Sequence, residues 1–449
     1  MPVNLDFFKE GIDKRLYSKP RFRYTQPIMK EKWAAIQSEL LSYTKAERYF
    51  VLAAMACAFC IMGEYAIIRP VSHSVFLTTY GSSGFLYAWL ACIPLNLAVV
   101  AFYNRLLPKW GCLKMFLCIA AIIVSGNLFC VFFLKKIWVL PFLFYIWKEV
   151  YVMVMFQQLW SLIHANMKEG RAKYLYGLMF AIGGAGGSLG SLLPGFCAVS
   201  VGSESLLLFT VPLYMLLFLA FFLAMKNQAV VAGVPSKSLP HLRDSLQRIA
   251  SSKLLVFILL IVVFMQLTST IVDFQFNTVL ETSILDKDLR TQYLGRLFGI
   301  VSFVTTGLQV IGSYLFVHYL GLRRSHLFVP MTLCCNAIGF LISPGFGMIS
   351  VSFAAIKAVD FSLFGVIKEM LYVPLKVEEK FQAKAVIDVF VYRSSKALAA
   401  SLILGLQFFE LQNFLTEGLI ALFVIWGFIV IKLFKQEQPS AAPEKQENV

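Results

Sequence analysis

Residues 50–68 read FVLAAMACAFCIMGEYAII, a run whose one ionisable side chain outside its cysteines and tyrosine is Glu64. Crossing a hydrocarbon layer about 30 Å thick takes roughly 20 apolar residues in a helix, and this run is of that length. The stretch from Met115 to Leu134 is a second of the same kind. The whole chain agrees: of 449 residues 59% are hydrophobic and 14% charged, with a mean hydropathy of +0.73. A water-soluble domain cannot carry that composition on its surface, so most of the chain belongs in a membrane.

Apolar windows between charged or Gly/Pro-rich breaks predict twelve spans. The first six lie at residues 48–68, 84–105, 113–134, 138–163, 174–198 and 204–225, and the rest at 254–280, 292–320, 326–343, 346–372, 384–408 and 412–434. Counted this way, alternate loops are basic. They hold Arg105, Lys109 and Lys114, then Lys168, Arg171 and Lys173, then Lys226, Lys237, Arg243, Arg248 and Lys253, then Arg323 and Arg324, then Lys376 and Lys380. The opposite loops are poorer in Lys and Arg, with Arg69, Lys135, Lys136, Lys287 and Arg290 as exceptions. The positive-inside rule then puts both termini in the cytoplasm.

The expected organisation is a polar cytoplasmic segment (1–47), a six-helix half (48–225), a cytoplasmic connection (226–253) holding Pro235 and Pro240, a second six-helix half (254–434) and a polar tail (435–449). That is an all-α polytopic membrane protein of about twelve transmembrane helices, with the plan of the major facilitator fold. The first 47 residues mix Asp6, Glu10, Asp13 and Glu31 with basic side chains and show no apolar signal core, so a bacterial inner membrane is the expected location.

The net charge of +15 is spread through short connections and forms no basic domain, which argues against nucleic acid as a partner. Cys57 and Cys60 form a Cys-x-x-Cys with no second pair or histidine cluster, so no metal is expected. Gly183, Gly184, Gly186, Gly187 and Gly190 invite comparison with a phosphate loop. They lie inside an apolar span without the Gly-Lys-Ser/Thr ending, and small residues in that setting permit close helix packing. With no zinc-protease helix, nucleophile elbow or phosphate loop, neither an enzyme nor a cofactor is expected.

Ionisable side chains at bilayer depth cost several kcal/mol unless paired or hydrated, so each marks a candidate site. They are Glu64 and Arg69 near the first span, Lys148 and Glu149 in the fourth, and Asp273 in the seventh. The tenth carries Lys357, Asp360, Lys368 and Glu369, and the eleventh Lys384, Asp388, Arg393 and Lys396. At about 100° per residue, Asp360 and Lys368 fall within about 60° and 20° of Lys357, a stripe of cation, anion and cation. Lys384 and Asp388 are spaced to pair along one helix. Cations outnumber carboxylates in this set, which points to an anionic solute.

The same residues carry a family resemblance. Phe361-Ser362-Leu363-Phe364, Lys368-Glu369-Met370-Leu371-Tyr372-Val373-Pro374-Leu375, and Lys384-Ala385-Val386-Ile387-Asp388 with Arg393 and Lys396 resemble signature segments of the non-mitochondrial ATP/ADP translocases of obligate intracellular bacteria and plastids. Glu149 resembles that family's fourth-helix acid. Leu159-Trp160 through Ala165-Asn166 and Ala172-Lys173-Tyr174-Leu175-Tyr176 resemble the stretch after it. The resemblance implies twelve helices and exchange of bulk nucleotides. The chain departs at the first helix, where the family's Arg-x-x-Lys-Asp reads Arg69-Pro70-Val71-Ser72-His73, and where Asp-Pro-Thr before the Lys-Glu pair reads Gly365-Val366-Ile367.

The leading expectation is therefore a nucleotide antiporter working by alternating access. Lys148, Lys357, Lys368, Arg393 and Lys396 would meet phosphates, with Glu149, Glu369 and Asp388 as counter-ions or gates, and Asp360 and Lys384 completing the set. Glu64, Arg69 and His73 form a second, first-helix candidate. An altered first-helix motif leaves room for another nucleotide, a nucleotide-derived cofactor or a smaller organic anion, coupled to protons through His73 or Glu149. A transport-inactive membrane protein with an assembly or sensory role is the reading from a different class.

Overall fold

The computed structural model describes residues 43–166, 169–226, 247, 249–309, 313–372, 386–387 and 391–436, and among them every regular element is helical. The longest runs from Lys45 to Phe133, and Gly81 (φ 68°) and Gly111 (φ 74°) divide it. These left-handed backbone angles suit glycine and stop a helix, so the element is three antiparallel spans: α1 (45–80), α2 (82–110) and α3 (112–133). A capping box starts α1: the Thr44 hydroxyl accepts from the Glu47 amide at 3.2 Å, and the Glu47 carboxylate accepts from the Thr44 amide at 2.8 Å.

The N-terminal half continues with α4 (Leu140–Asn166), α5 (Glu169–Gly190, extended through Leu192–Val201) and α6 (Thr210–Lys226). The C-terminal half holds α7 (Lys253–Ser283), α8 (Lys287–Gly307), and Ser313–Ile342, which Gly321 (φ 74°) breaks before α9 (322–342). It ends with α10 (Phe346–Leu371), α11 (Tyr392–Phe408) and α12 (Leu415–Gln436). Among the described residues seven helices, the 45–133 element counted once, are long and apolar enough to cross a membrane. Trp110 and Trp138, at the two ends of α3, are exposed, as interfacial anchors are.

Two large apolar cores fill the bundle, beside a small third of Tyr103, Met115 and Val154. One is built wholly from N-terminal-half residues between Tyr43 and Ala224. The other is the C-terminal half's own, joined by the α1, α2 and α4 residues that face it, among them Phe76, Trp89 and Tyr145. The glycine run of α5 is packing, as expected for an apolar helix: a Cβ on Gly186 would sit 2.3 Å from the Phe59 carbonyl oxygen, and one on Gly190 2.4 Å from that of Gly63. Backbone touches backbone where α5 crosses α1.

The first span is longer than expected. It passes through Arg69 and Pro70 to residue 80, and residues 70–77 are all buried. Hydropathy falls at Arg69, but this stretch is surrounded by protein instead of lipid, so its polar side chains do not end it. Arg69 and His73 therefore lie inside the bundle.

The connections at residues 81, 134–139, 202–209, 284–286, 343–345 and 409–414 share one face of the bundle, called distal here. The halves are joined there. Glu204 pairs with Lys287, Ser203 donates to Asp288 from its backbone N–H at 2.9 Å, and Arg290 donates to Thr78 at 3.1 Å. The Ser82 amide donates to Glu281 at 2.8 Å, and Gln407 to Ser83 at 3.0 Å.

Candidate functional site

The buried lysines of α4 and α10 organise the interior. Lys148 is 1% exposed; its ammonium meets the adjacent Glu149 carboxylate at 3.0 Å and lies 4.2 Å from the centre of the Tyr145 ring. Lys357 reaches across to α7, donating to Asp273 at 2.7 Å and to Ser269 at 3.0 Å. Three residues on, Asp360 accepts from Gln266 of α7 at 3.2 Å and from Tyr392 of α11 at 3.4 Å. Gln266, Ser269 and Asp273 follow helical spacing along one face of α7, and Lys357 and Asp360 meet that face in antiparallel order. The expected α10 stripe is real for these two residues.

It does not extend unbroken to Lys368. Residues Asp360–Phe364 form a π-turn, which winds more residues per turn than an α-helix and displaces everything after it from the simple 100° count. The turn leaves the Phe361 carbonyl accepting from Gln309 at 2.6 Å. Lys368 is half-buried and Glu369 buried, about 16 Å along the axis beyond Lys357 at 1.5 Å per residue. Lys384 and Asp388 lie outside the described residues, as do most of the expected N-terminal segment, the 227–246 part of the inter-half connection and residues 437–449 of the tail.

Three further cations face the centre with no carboxylate among the described residues in ion-pair contact. Arg69 lies 3.8 Å from the centre of the Phe298 ring of α8 and 5.8 Å from that of Tyr65. Lys396 of α11 stands 4.9 Å from the Trp89 ring of α2, and Arg393 points its guanidinium at the Met153 thioether of α4. Rings offer a cation a partial partner that an anion can outcompete. Arg69 and Lys396 each interact electrostatically with both Lys148 and Lys357, so cations from both halves share one region. Among the described residues five cations face Glu149, Asp273 and Asp360, and their surplus is positive even with all three carboxylates ionised.

The first-helix trio converges only in part. Arg69 belongs to the central cluster, and His73, held at the α1–α7 contact by Asn277 at 2.6 Å, lies at its edge, 6.2 Å from the Tyr145 ring and 6.4 Å from that of Phe298. Glu64 points into the N-terminal half, where Tyr151 donates to it at 2.6 Å. Sequence reasoning found the ionisable residues but not Trp89, Tyr145, Phe298 and Gln266, which are ordinary apolar-helix or polar residues until the fold sets charges against them. The Glu204–Lys287 contact had a faint signal: opposite charges in two loops assigned to the same face.

This fold defines a class, the multi-pass α-helical membrane proteins of major-facilitator type. Among solved structures it is similar to the nucleoside transporter NupG, with TM-score 0.61 and 13% identity over 86% of this chain and 100% of that one. A bacterial homologue of the iron transporter ferroportin in its inward-facing state gives TM-score 0.60 and 12% identity, covering 86% and 98%. At such identities the likeness is one of fold.

A closer likeness is local. Residues 341–437 match the family described as TLC ATP/ADP transporter. Two proteins named ADP,ATP carrier protein 1, from Chlamydia muridarum and Chlamydia trachomatis serovar D, are each 32% identical to this chain over 96 residues, 20% of this chain and 18% of theirs. The match thus spans under a fifth of the curated relatives' length. It supports the resemblance to the nucleotide translocases, and the proteins resembled are transporters, not enzymes.

Proposed function

We propose that this protein carries a nucleotide-type anion across a bacterial inner membrane by exchange, its two six-helix halves alternating access to the central cations. The observation that carries this reading is the positive surplus between the halves, with Arg69, Lys396 and Arg393 resting on rings or a thioether instead of carboxylates. Phosphate oxygens form charge-assisted hydrogen bonds with such groups, and Trp89, Tyr145 and Phe298 offer faces for a base. The distal contacts match a state closed on the periplasmic side, given cytoplasmic termini. Lys368, Glu369, Lys384 and Asp388 would then serve the opposite mouth.

Ser72 and His73 favour a second reading, a smaller or less charged solute. Where the related family has Lys-Asp, Ser72 donates to the Arg69 carbonyl at 3.1 Å and His73 is tied to Asn277, so this turn offers no extra cation for a polyphosphate. Proteoliposomes preloaded with ADP and offered labelled ATP, ADP, AMP or inorganic phosphate separate the two. Uptake of ATP or ADP that requires internal ADP supports nucleotide exchange. Uptake of phosphate or AMP alone supports the second reading, and uptake of none of the four overturns the first.

A further inference from the structure

The central cluster leaves a buried carboxyl group of the N-terminal half unused. Glu64 of α1 is 2% exposed and faces away from the inter-half space. Its Oε1 accepts from the Tyr151 hydroxyl of α4 at 2.6 Å and from the Asn127 amide of α3 at 3.5 Å. Asn127 also donates to Thr210 of α6 at 3.2 Å, and Thr210 to the Leu207 carbonyl at 2.6 Å, so the donors around Glu64 are fixed in place by the bundle. Both hydrogen bonds go to one oxygen, and Oε2 receives none among the described residues.

An ionised carboxylate buried in a membrane needs a cation or a full set of donors. Among the described residues Glu64 has no ion-pair partner, and no cation figures among the groups acting on it. The groups facing it are hydroxyls and an amide: Tyr65 on its own helix, Asn127 from α3, Tyr151 from α4, and Tyr214 from α6. Helix α5 brings Gly186 and Gly190, which carry no charge. One accepting oxygen and one oxygen left over is the arrangement of a carboxylic acid, whose hydroxyl oxygen carries the proton itself.

We propose that Glu64, set between Tyr151 and Asn127, is a proton-binding site separate from the anion site and coupled to it. The coupling path is short. Tyr151 lies one turn after Lys148 on α4, and Tyr65, beside Glu64, lies under Arg69. When the carboxyl O–H bond breaks, the proton passes to water and the carboxylate keeps the electron pair. A negative charge then appears within the N-terminal half, behind the Tyr151 and Tyr65 side chains, and disfavours the entry of a second negative charge, the solute. The proton and the anion thus bind together and leave together. The coupling half of this proposal rests on the transport reading, and the proton site does not.

Two measurements test it. Infrared difference spectra of the full chain in lipid nanodiscs, titrated from acid to alkaline, should contain a protonated-carboxyl band that Glu64→Gln removes and Tyr151→Phe displaces. A wild-type spectrum matching Glu64→Gln in that band at every pH would overturn the proton site. In proteoliposomes, an inward proton gradient should raise ADP uptake several-fold in the wild type and not in Glu64→Gln. Equal stimulation of both would overturn the coupling. If the wild type takes up no ADP, the nucleotide reading fails while the infrared titration still decides the proton.

Discussion

The two halves each bury a lysine in their fourth helix, but they partner it differently. Lys148 takes the next residue on its own helix, Glu149, whose side chain is 33% exposed. Lys357 takes Asp273 from another helix, and there both side chains are nearly buried, at 10% and 11%. A partner on the same helix holds nothing else together and can release its lysine to a solute. A partner on a neighbouring helix joins α7 to α10 and makes the lysine part of the frame. Equivalent places in the two halves thus divide the work between binding and bracing.

The largest effect should come from the brace. Asp273→Ala leaves a buried ammonium unpaired, which costs about 3–5 kcal/mol, and thermal unfolding in detergent should show it. The double change Asp273→Asn with Lys357→Met should recover most of the loss, because no unpaired charge remains. Glu149→Ala should lose less stability, since Lys148 keeps the Tyr145 ring, yet abolish uptake with membrane insertion intact. Equal stability losses for Asp273→Ala and Glu149→Ala would erase the distinction between the halves.

Solute contact is the next rung. Lys148→Gln or Lys396→Gln should remove a charge-assisted hydrogen bond of about 1.5–3 kcal/mol and raise the apparent dissociation constant roughly 10- to 150-fold. The loss should be greater for a triphosphate than for a monophosphate. Lys368→Gln, further along α10, should weaken binding less, and competition assays with nucleoside mono-, di- and triphosphates rank the three. The smallest effect belongs to the distal contacts. Lys287→Ala should shift the balance toward a distally open state by about 1 kcal/mol, roughly fivefold, read as faster labelling of Ser74→Cys by an impermeant maleimide. Unchanged labelling would mean that the Glu204 pair does not hold the halves together.

Much of this was legible in the sequence because membrane spans are long apolar runs, and charges inside them stand out. The twelve spans, the Lys148–Glu149 neighbours and the Lys357–Asp360 face need only composition and helical spacing. The end of α1 was not legible, because a hydropathy window cannot tell a polar helix wrapped in protein from a loop in water. Asp273 stood out as a charge, but its pairing with Lys357 depends on a contact 84 residues apart. The break in the α10 stripe depends on a local winding change that no periodicity count records.

That winding change makes the length of α10 a variable with directional consequences. The segments before and after Asp360–Phe364 are phased independently, like two gears joined through a slipped tooth. The turn absorbs about one residue's 100° of rotation, so removing one residue would let the helix rewind as an ordinary α-helix with Lys368 and Glu369 keeping their aim while Lys357 stayed on Asp273. Rewinding the undeleted sequence would instead swing Lys368 and Glu369 by about 100°. Among relatives of this chain, a one-residue gap in that signature would therefore mark a helix without the turn and a mouth aimed as here.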